Sequence, residues 1–237
     1  MSRVQHSSAV GEGFRWCMAL ATAAVALLFT ASPGMAKGFH TLYAFKDGAK
    51  FGDWPSALIP GPDKTLYGVT RYGGDFTACP HLGCGTVFEI ARDGTNKQTI
   101  FAANGANANG ILAITPDHHG NLFGVAGGGA NGKGVVFRLH RKSDGSWSEE
   151  TVYAFTNGAD GYIQCFAACG LLVDDSTGTL YGVASGGNAG GGACADGEVY
   201  GCGLVYALTP NGRAWTYSVI YNSVSYTHLT LPTKRIV

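Results

Sequence analysis

Six cysteines between residues 37 and 223 stand in three close pairs, Cys79 with Cys84, Cys165 with Cys169, and Cys194 with Cys202. Paired thiols at short spacing either close disulfides in an oxidising compartment or hold a soft metal such as zinc as thiolates. A structural zinc site needs two matched pairs that converge, and here the spacing differs from pair to pair. Disulfides are therefore expected, with local pairing preferred and cross-pairing of Cys165 or Cys169 with Cys194 or Cys202 as the alternative. The seventh cysteine, Cys17, lies in an apolar N-terminal run and is expected to leave with it.

The remaining chemistry-bearing residues form no catalytic constellation. His40, His81, His118, His119 and His140 do not recur at one repeat position, and His118-His119 reads as a solvated turn rather than a metal pair. Asp47, Asp53 and Asp160 lie in loop segments but lack the alternating oxygen-ligand spacing of a calcium loop, so they read as turn-capping aspartates. No nucleophile elbow, zinc-protease helix or phosphate loop is present, so no catalytic residue, cofactor site or metal site is assigned.

The elements that position these residues are short and turn-bounded. The chain has 237 residues, 37 of them glycine, with 46% hydrophobic and 14% charged side chains. That is too apolar for disorder and rich in turns. Residues 37–223 carry 12 Lys or Arg against 15 Asp or Glu, with no basic stripe, which speaks against a nucleic-acid partner. Arg3 and Arg15 precede an apolar run, Trp16 to Thr30, that closes on Gly34-Met35-Ala36. Residues 1–36 read as a secretory signal peptide, so the product is expected to be exported, with no membrane span after cleavage. Residues 224–237 (VSYTHLTLPTKRIV) match nothing upstream and resemble a translated sequencing-adapter tail, non-native or disordered. The natural chain is then expected to continue past Ser223.

Between these ends the sequence repeats. Leu66-Tyr67-Gly68-Val69 returns as Leu122-Phe123-Gly124-Val125 and as Leu180-Tyr181-Gly182-Val183, at intervals of 56 and 58 residues. Each copy follows an apolar patch and precedes a Gly-Gly pair. A strand opened by Gly85, Gly134 or Gly203 comes next, then a turn at Asp93-Gly94, Asp144-Gly145 or Asn211-Gly212. A strand rich in β-branched and aromatic residues ends the unit. Four strands, a to d, in one unit make an antiparallel meander close in size to a propeller blade of roughly 40 to 50 residues. The expected fold is all-β and β-propeller-like, with blades near residues 55–101, 111–155 and 170–221 in a domain of residues 37–223. Thr41 to Phe45 (TLYAF) is a lone copy of strand d. Three blades and a strand fall short of a closed ring, so an open arc is expected, part of a larger propeller. An open β-solenoid is the competing architecture.

These motifs resemble the GloVer-type tandem-repeat proteins of bacterial surfaces, called choice-of-anchor because their C-terminal attachment signals differ. The pattern LYGTT-x-x-GG, a variable insert, GTVF-x-L, a DG turn and an aromatic-x-F strand spans nearly all of residues 41–221. No C-terminal anchor of that kind is read within residues 1–237, as expected if the natural chain continues past Ser223.

In a meander the b-to-c and d-to-a connections share one face, and here they are the long, variable ones that hold all six cysteines. Arg71, Tyr72, His81, Asn131, Lys133 and Asn188 differ between units on that face and form the candidate binding set. A variable set on a constant scaffold is how binding loops are commonly built. The expected function is non-enzymatic binding or surface interaction through this disulfide-braced face, with a glycan or a surface protein as partner. The alternatives are a propeller-fold carbohydrate-active enzyme, lyase or hydrolase, and a structural spacer in a surface array.

Overall fold

The computed structural model describes residues 38, 40–46, 50, 52–163, 169–186 and 202–223. The chain divides into Met1–Thr41 and Leu42–Val237, and every described strand lies in the second unit. The leader, the tail, Asp47, Cys165, Asn188 and Cys194 lie outside the described residues.

Three four-stranded antiparallel sheets, each a meander in chain order, account for the described strands, and there is no helix among the described residues. Blade 1 holds β1 (Asp53–Pro60), β2 (Thr65–Tyr72), β3 (Thr86–Ala91) and β4 (Gln98–Ala102). Blade 2 holds β5 (Asn109–Pro116), β6 (Leu122–Gly127), β7 (Val135–Arg141) and β8 (Trp147–Ala154). Blade 3 holds β9 (Leu171–Asp174), β10 (Thr179–Ala184), β11 (Leu204–Asn211) and β12 (Ala214–Asn222). Strand β5 packs on β1 and β2, β9 packs on β5 and β6, and the outer strands β4, β8 and β12 meet in succession. The result is an open, propeller-like arc of blades.

The period-2 pattern of the blade 2 strands feeds two cores at once, because neighbouring side chains leave opposite faces of a sheet. In β6, Leu122 and Ala126 enter the core shared with blade 1, whereas Phe123 and Val125 enter the core shared with blade 3. In β7, Val135, Phe137 and Leu139 face blade 1, and Val136 faces blade 3. Strands buried on both faces therefore read as nearly continuous apolar runs.

The repeated glycine of the Leu-aromatic-Gly motif is explained by its cross-strand partner. Gly68 pairs with Phe88, Gly124 with Phe137 and Gly182 with Tyr206. In each pair the ring lies over the glycine, and a Cβ there would come within 2.3, 2.1 and 2.3 Å of it. The glycine makes room for a buried aromatic ring of the neighbouring strand. The Tyr206 hydroxyl, where the other blades have phenylalanine, is buried without a hydrogen-bond partner.

The c-to-d turns close as the Asp-Gly pairs suggest. Asp93 Oδ1 accepts from Thr95 N and Oγ1 at 3.0 and 2.7 Å, and Asp144 Oδ1 accepts from Ser146 N and Oγ at 2.8 and 2.6 Å. The segment 41–45, read from the sequence as a strand, joins no ladder. A strand d hydrogen-bonds to strand c of its own blade, and among the described residues no such strand lies beside it.

Candidate binding face

The long connections are stitched into one rim by backbone hydrogen bonds. The start of β5 donates from Gly110 N to Cys84 O (2.8 Å) and the β4–β5 connection accepts from Gly129 N at Gly105 O (3.3 Å), so this stretch joins the b-to-c inserts of blades 1 and 2. The β8–β9 connection donates from Ile163 N to Lys133 O (2.7 Å), and Tyr162 exchanges two 2.9 Å bonds with Ser185 of blade 3. One repeated bond anchors each unit: Ala103, Phe155 and Ser223 donate to the carbonyls of Gly85, Gly134 and Gly203. Those glycines hold φ of 94°, 100° and 89°, which other residues rarely adopt.

Within insert 73–85 a disulfide joins Cys79 and Cys84, whose Cα atoms lie 5.3 Å apart. Cys84 is fully buried and belongs to the core between blades 1 and 2, and both sulfurs lie under Gly105 of the next connection. Asp75 Oδ1 caps the insert by accepting from Thr77 N and Ala78 N at 2.8 and 3.2 Å. Cys169 and Cys202 are also disulfide-bonded.

The candidate residues divide by what they do. Asn131 is exposed but its amide is engaged, donating from Nδ2 to Phe155 O at 3.1 Å, and so pins its loop just past the end of β8. Lys133 holds the β8–β9 connection through its carbonyl and leaves its side chain exposed. His81 is exposed at the tip of the disulfide loop, with φ of 79°. Arg71 and Tyr72 lie together at the end of β2, with the guanidinium 5.7 Å from the ring centroid.

Sequence reasoning missed the residue that completes this pair. Trp54 is 65% exposed, and its ring meets the Tyr72 ring edge-on at 5.6 Å and 81°. Its φ is 55°, and in the register of β1 on β2 it stands between Asp53 and Pro55 as Gly110 (φ 69°) stands between Asn109 and Ile111 in blade 2. A bulky residue held left-handed costs about 1–3 kcal/mol. Here the cost is borne by a ring that faces water. A tryptophan where the next unit has glycine was the available signal, visible only once the register is known.

The opposite face carries the short turns and two grooves between blades. A cleft of about 610 Å³ between blades 2 and 3 is lined by Asn121, Arg138, His140, Thr177 and Trp215, among others, and one of about 560 Å³ lies between blades 1 and 2. Its polar groups bond to one another: Asp117 accepts from His119 N, Asn121 N and Asn121 Nδ2, Asn121 Oδ1 meets His140 Nδ1 at 2.7 Å, and His118 reaches Asp175 of blade 3 at 3.2 Å. Among the described residues no three His, Cys, Asp or Glu side chains converge as a metal set would.

No curated protein matches the chain. The Gloeobacter/Verrucomicrobia repeat pattern matches residues 26–195, well over half of the sequence, including all of the first two blades and the opening of the third. With the motif and its glycine–aromatic pairing recurring in all three blades, the chain belongs to the Gloeobacter/Verrucomicrobia repeat family.

Proposed function

We propose that this chain is an exported, non-enzymatic repeat module that binds glycans on its disulfide-braced face, with Trp54, Tyr72 and Arg71 as the contact residues. The observation that carries the reading is the exposed, left-handed Trp54 set against Tyr72. A flat ring presented to water stacks on the apolar C–H face of a sugar, and the neighbouring guanidinium supplies donors for hydroxyl groups. The disulfide supports export, because such bonds persist in oxidising compartments. On the opposite face the histidines and carboxylates are occupied with one another, which favours binding over hydrolysis.

The test is a glycan panel followed by calorimetry on the full chain and on Trp54→Gly. Glycine suits φ of 55°, so the variant should keep or slightly raise Tm while losing at least about tenfold in affinity, the effect of removing about 1.4 kcal/mol of contact. A blank panel, or a variant that binds as the parent does, would refute the reading and leave the surface-spacer role.

A further inference from the structure

Leu42–Lys46 repeats, side chain for side chain, the way strand d of one blade meets the blade that follows. TLYAF at 41–45 aligns with TVYAF at 151–155. In blade 2 the Tyr153 and Phe155 rings pack edge-on at 5.1 Å and 84°, and Phe155 meets Tyr206 of blade 3 at 5.3 Å and 68°. In the N-terminal segment the Tyr43 and Phe45 rings pack at 4.9 Å and 78°, and Phe45 meets Phe88 of blade 1 at 5.4 Å and 61°. Phe88 and Tyr206 hold the same place, each opposite the motif glycine of its blade. The third wall of the pocket also corresponds. Tyr217 stacks on Tyr153 in one case, and Lys97 Nζ lies 5.0–5.3 Å from the Tyr43, Phe45 and Phe88 ring centroids in the other.

The segment thus sits where the outermost strand of a preceding blade belongs, while none of the described residues fills the inner positions of that blade. Leu58 opposes Gly68 as Ile114 opposes Gly124 and Leu171 opposes Gly182. Ile114 and Leu171 are buried by the blade before them, at 4% and 7% exposure, but Leu58 is 55% exposed. Leu42, equivalent to the buried Val152, is 46% exposed. A second copy of this chain does not fit the gap, because each of its blades already carries a strand d that would collide with Leu42–Lys46.

We propose that Leu42–Lys46 and the Leu58 face of blade 1 form a docking slot for the three inner strands of a further repeat of this same family. That partner supplies a strand a over Leu58, a Leu-aromatic-Gly strand b, and a Gly-opened strand c whose free edge hydrogen-bonds to Leu42–Lys46. Recognition combines edge-strand addition with the same inter-blade packing that the chain uses twice internally. The inference is independent of the glycan reading.

The experiment inserts a second copy of residues 109–150, the inner strands and turn of blade 2, between His40 and Thr41 of the full chain, so that TLYAF follows it as TVYAF follows the original. Hydrogen exchange is read at Leu42–Phe45, with the amides of β6 and β7 as the internal reference. The expected result is at least about tenfold slower exchange at Leu42–Phe45 in the insertion protein, abolished by Leu58→Asp while the reference amides stay protected. Unchanged exchange at Leu42–Phe45 with the reference intact overturns the proposal. If the insertion perturbs the reference, the 109–150 peptide is added to the unmodified chain, and the same protection or its absence decides. Concentration-dependent self-association of the unmodified chain that Tyr43→Asp abolishes would identify a second copy as the occupant, also overturning it.

Discussion

Asp160 illustrates how a loop residue without catalytic chemistry is still held under electrostatic constraint. Its carboxylate accepts from Thr156 N and Tyr153 Oη on one oxygen, at 2.8 and 3.1 Å, and from Thr156 Oγ1 and Gly158 N on the other, at 2.6 and 3.0 Å. Its carbonyl accepts from Tyr217 Oη of blade 3 at 3.0 Å. Burial works against ionisation, but these donors outweigh it and hold the Asp160 pKa below the usual aspartate value. Tyr153 responds in the opposite sense, pushed up to about 12 by burial and then by the Asp160 charge. A depressed carboxylate pKa stabilises the fold at every pH above the unfolded-state value near 4, and that contribution is lost as pH falls through the folded-state value. Asp160→Asn, which keeps one acceptor oxygen of two, should lower stability at pH 7 by about 1–3 kcal/mol. The gap between variant and parent should begin to narrow below pH ~4, where the unfolded parent takes up the proton, and close as pH falls through the lower folded-state value. Urea midpoints at the two pH values measure it, and a gap that stays constant would contradict the role assigned to the charge.

At the scale of the element, the meander and its phase were legible because the constraint on them is local and recurs. A strand b that must accommodate an aromatic ring from strand c needs glycine opposite it, and that need writes the same letters at 68, 124 and 182. The hairpin turns were legible for a similar reason, since the Asp and Gly chemistry of a tight turn is contained in a few residues. Trp54 was not legible: in the sequence it is one aromatic before a proline, and its meaning comes from the register that sets it against Gly110 of the next unit. Lys97 escaped as well, because a lysine in a turn gives no sign that it closes a three-ring pocket with residues some fifty positions earlier. The glycine argument makes a direct prediction. Gly124→Ala places a methyl 2.1 Å from the tip of Phe137, which is fully buried and cannot swing away, so the variant should lose about 1–3 kcal/mol by overpacking. The double variant with Phe137→Leu should lose less than the sum of the two single changes, as expected for residues in contact. Additive losses in chemical denaturation would show that the ring and the glycine are not coupled.

In the whole molecule, the blades are alike in sequence but unequal in cover, and stability in a repeat array follows the interfaces rather than the units. Blade 2 has a neighbour on both faces. Blade 3 has one on the side of β6, and its other face presents Leu172 and Val183 at 66% and 43% exposure. The same strand-b position is Val69 in blade 1 and Val125 in blade 2, both essentially without solvent contact, because blades 2 and 3 respectively close over them. The aromatic two residues earlier behaves likewise. Tyr67 meets Trp147 of blade 2 at 5.9 Å and Phe123 meets Trp215 of blade 3 at 6.0 Å, while Tyr181 is half-buried. Three chemically identical substitutions therefore separate sequence from position. Val69→Ala and Val125→Ala should each cost about 2 kcal/mol, from lost burial and the cavity left behind, whereas Val183→Ala should cost about 0.5 kcal/mol or less. Thermal unfolding of the three variants at one protein concentration reads the difference directly. Equal losses at all three positions would mean that the motif valine acts within its own sheet and that the face between blades contributes little, which would remove the physical basis for treating the blades as a packed radial series.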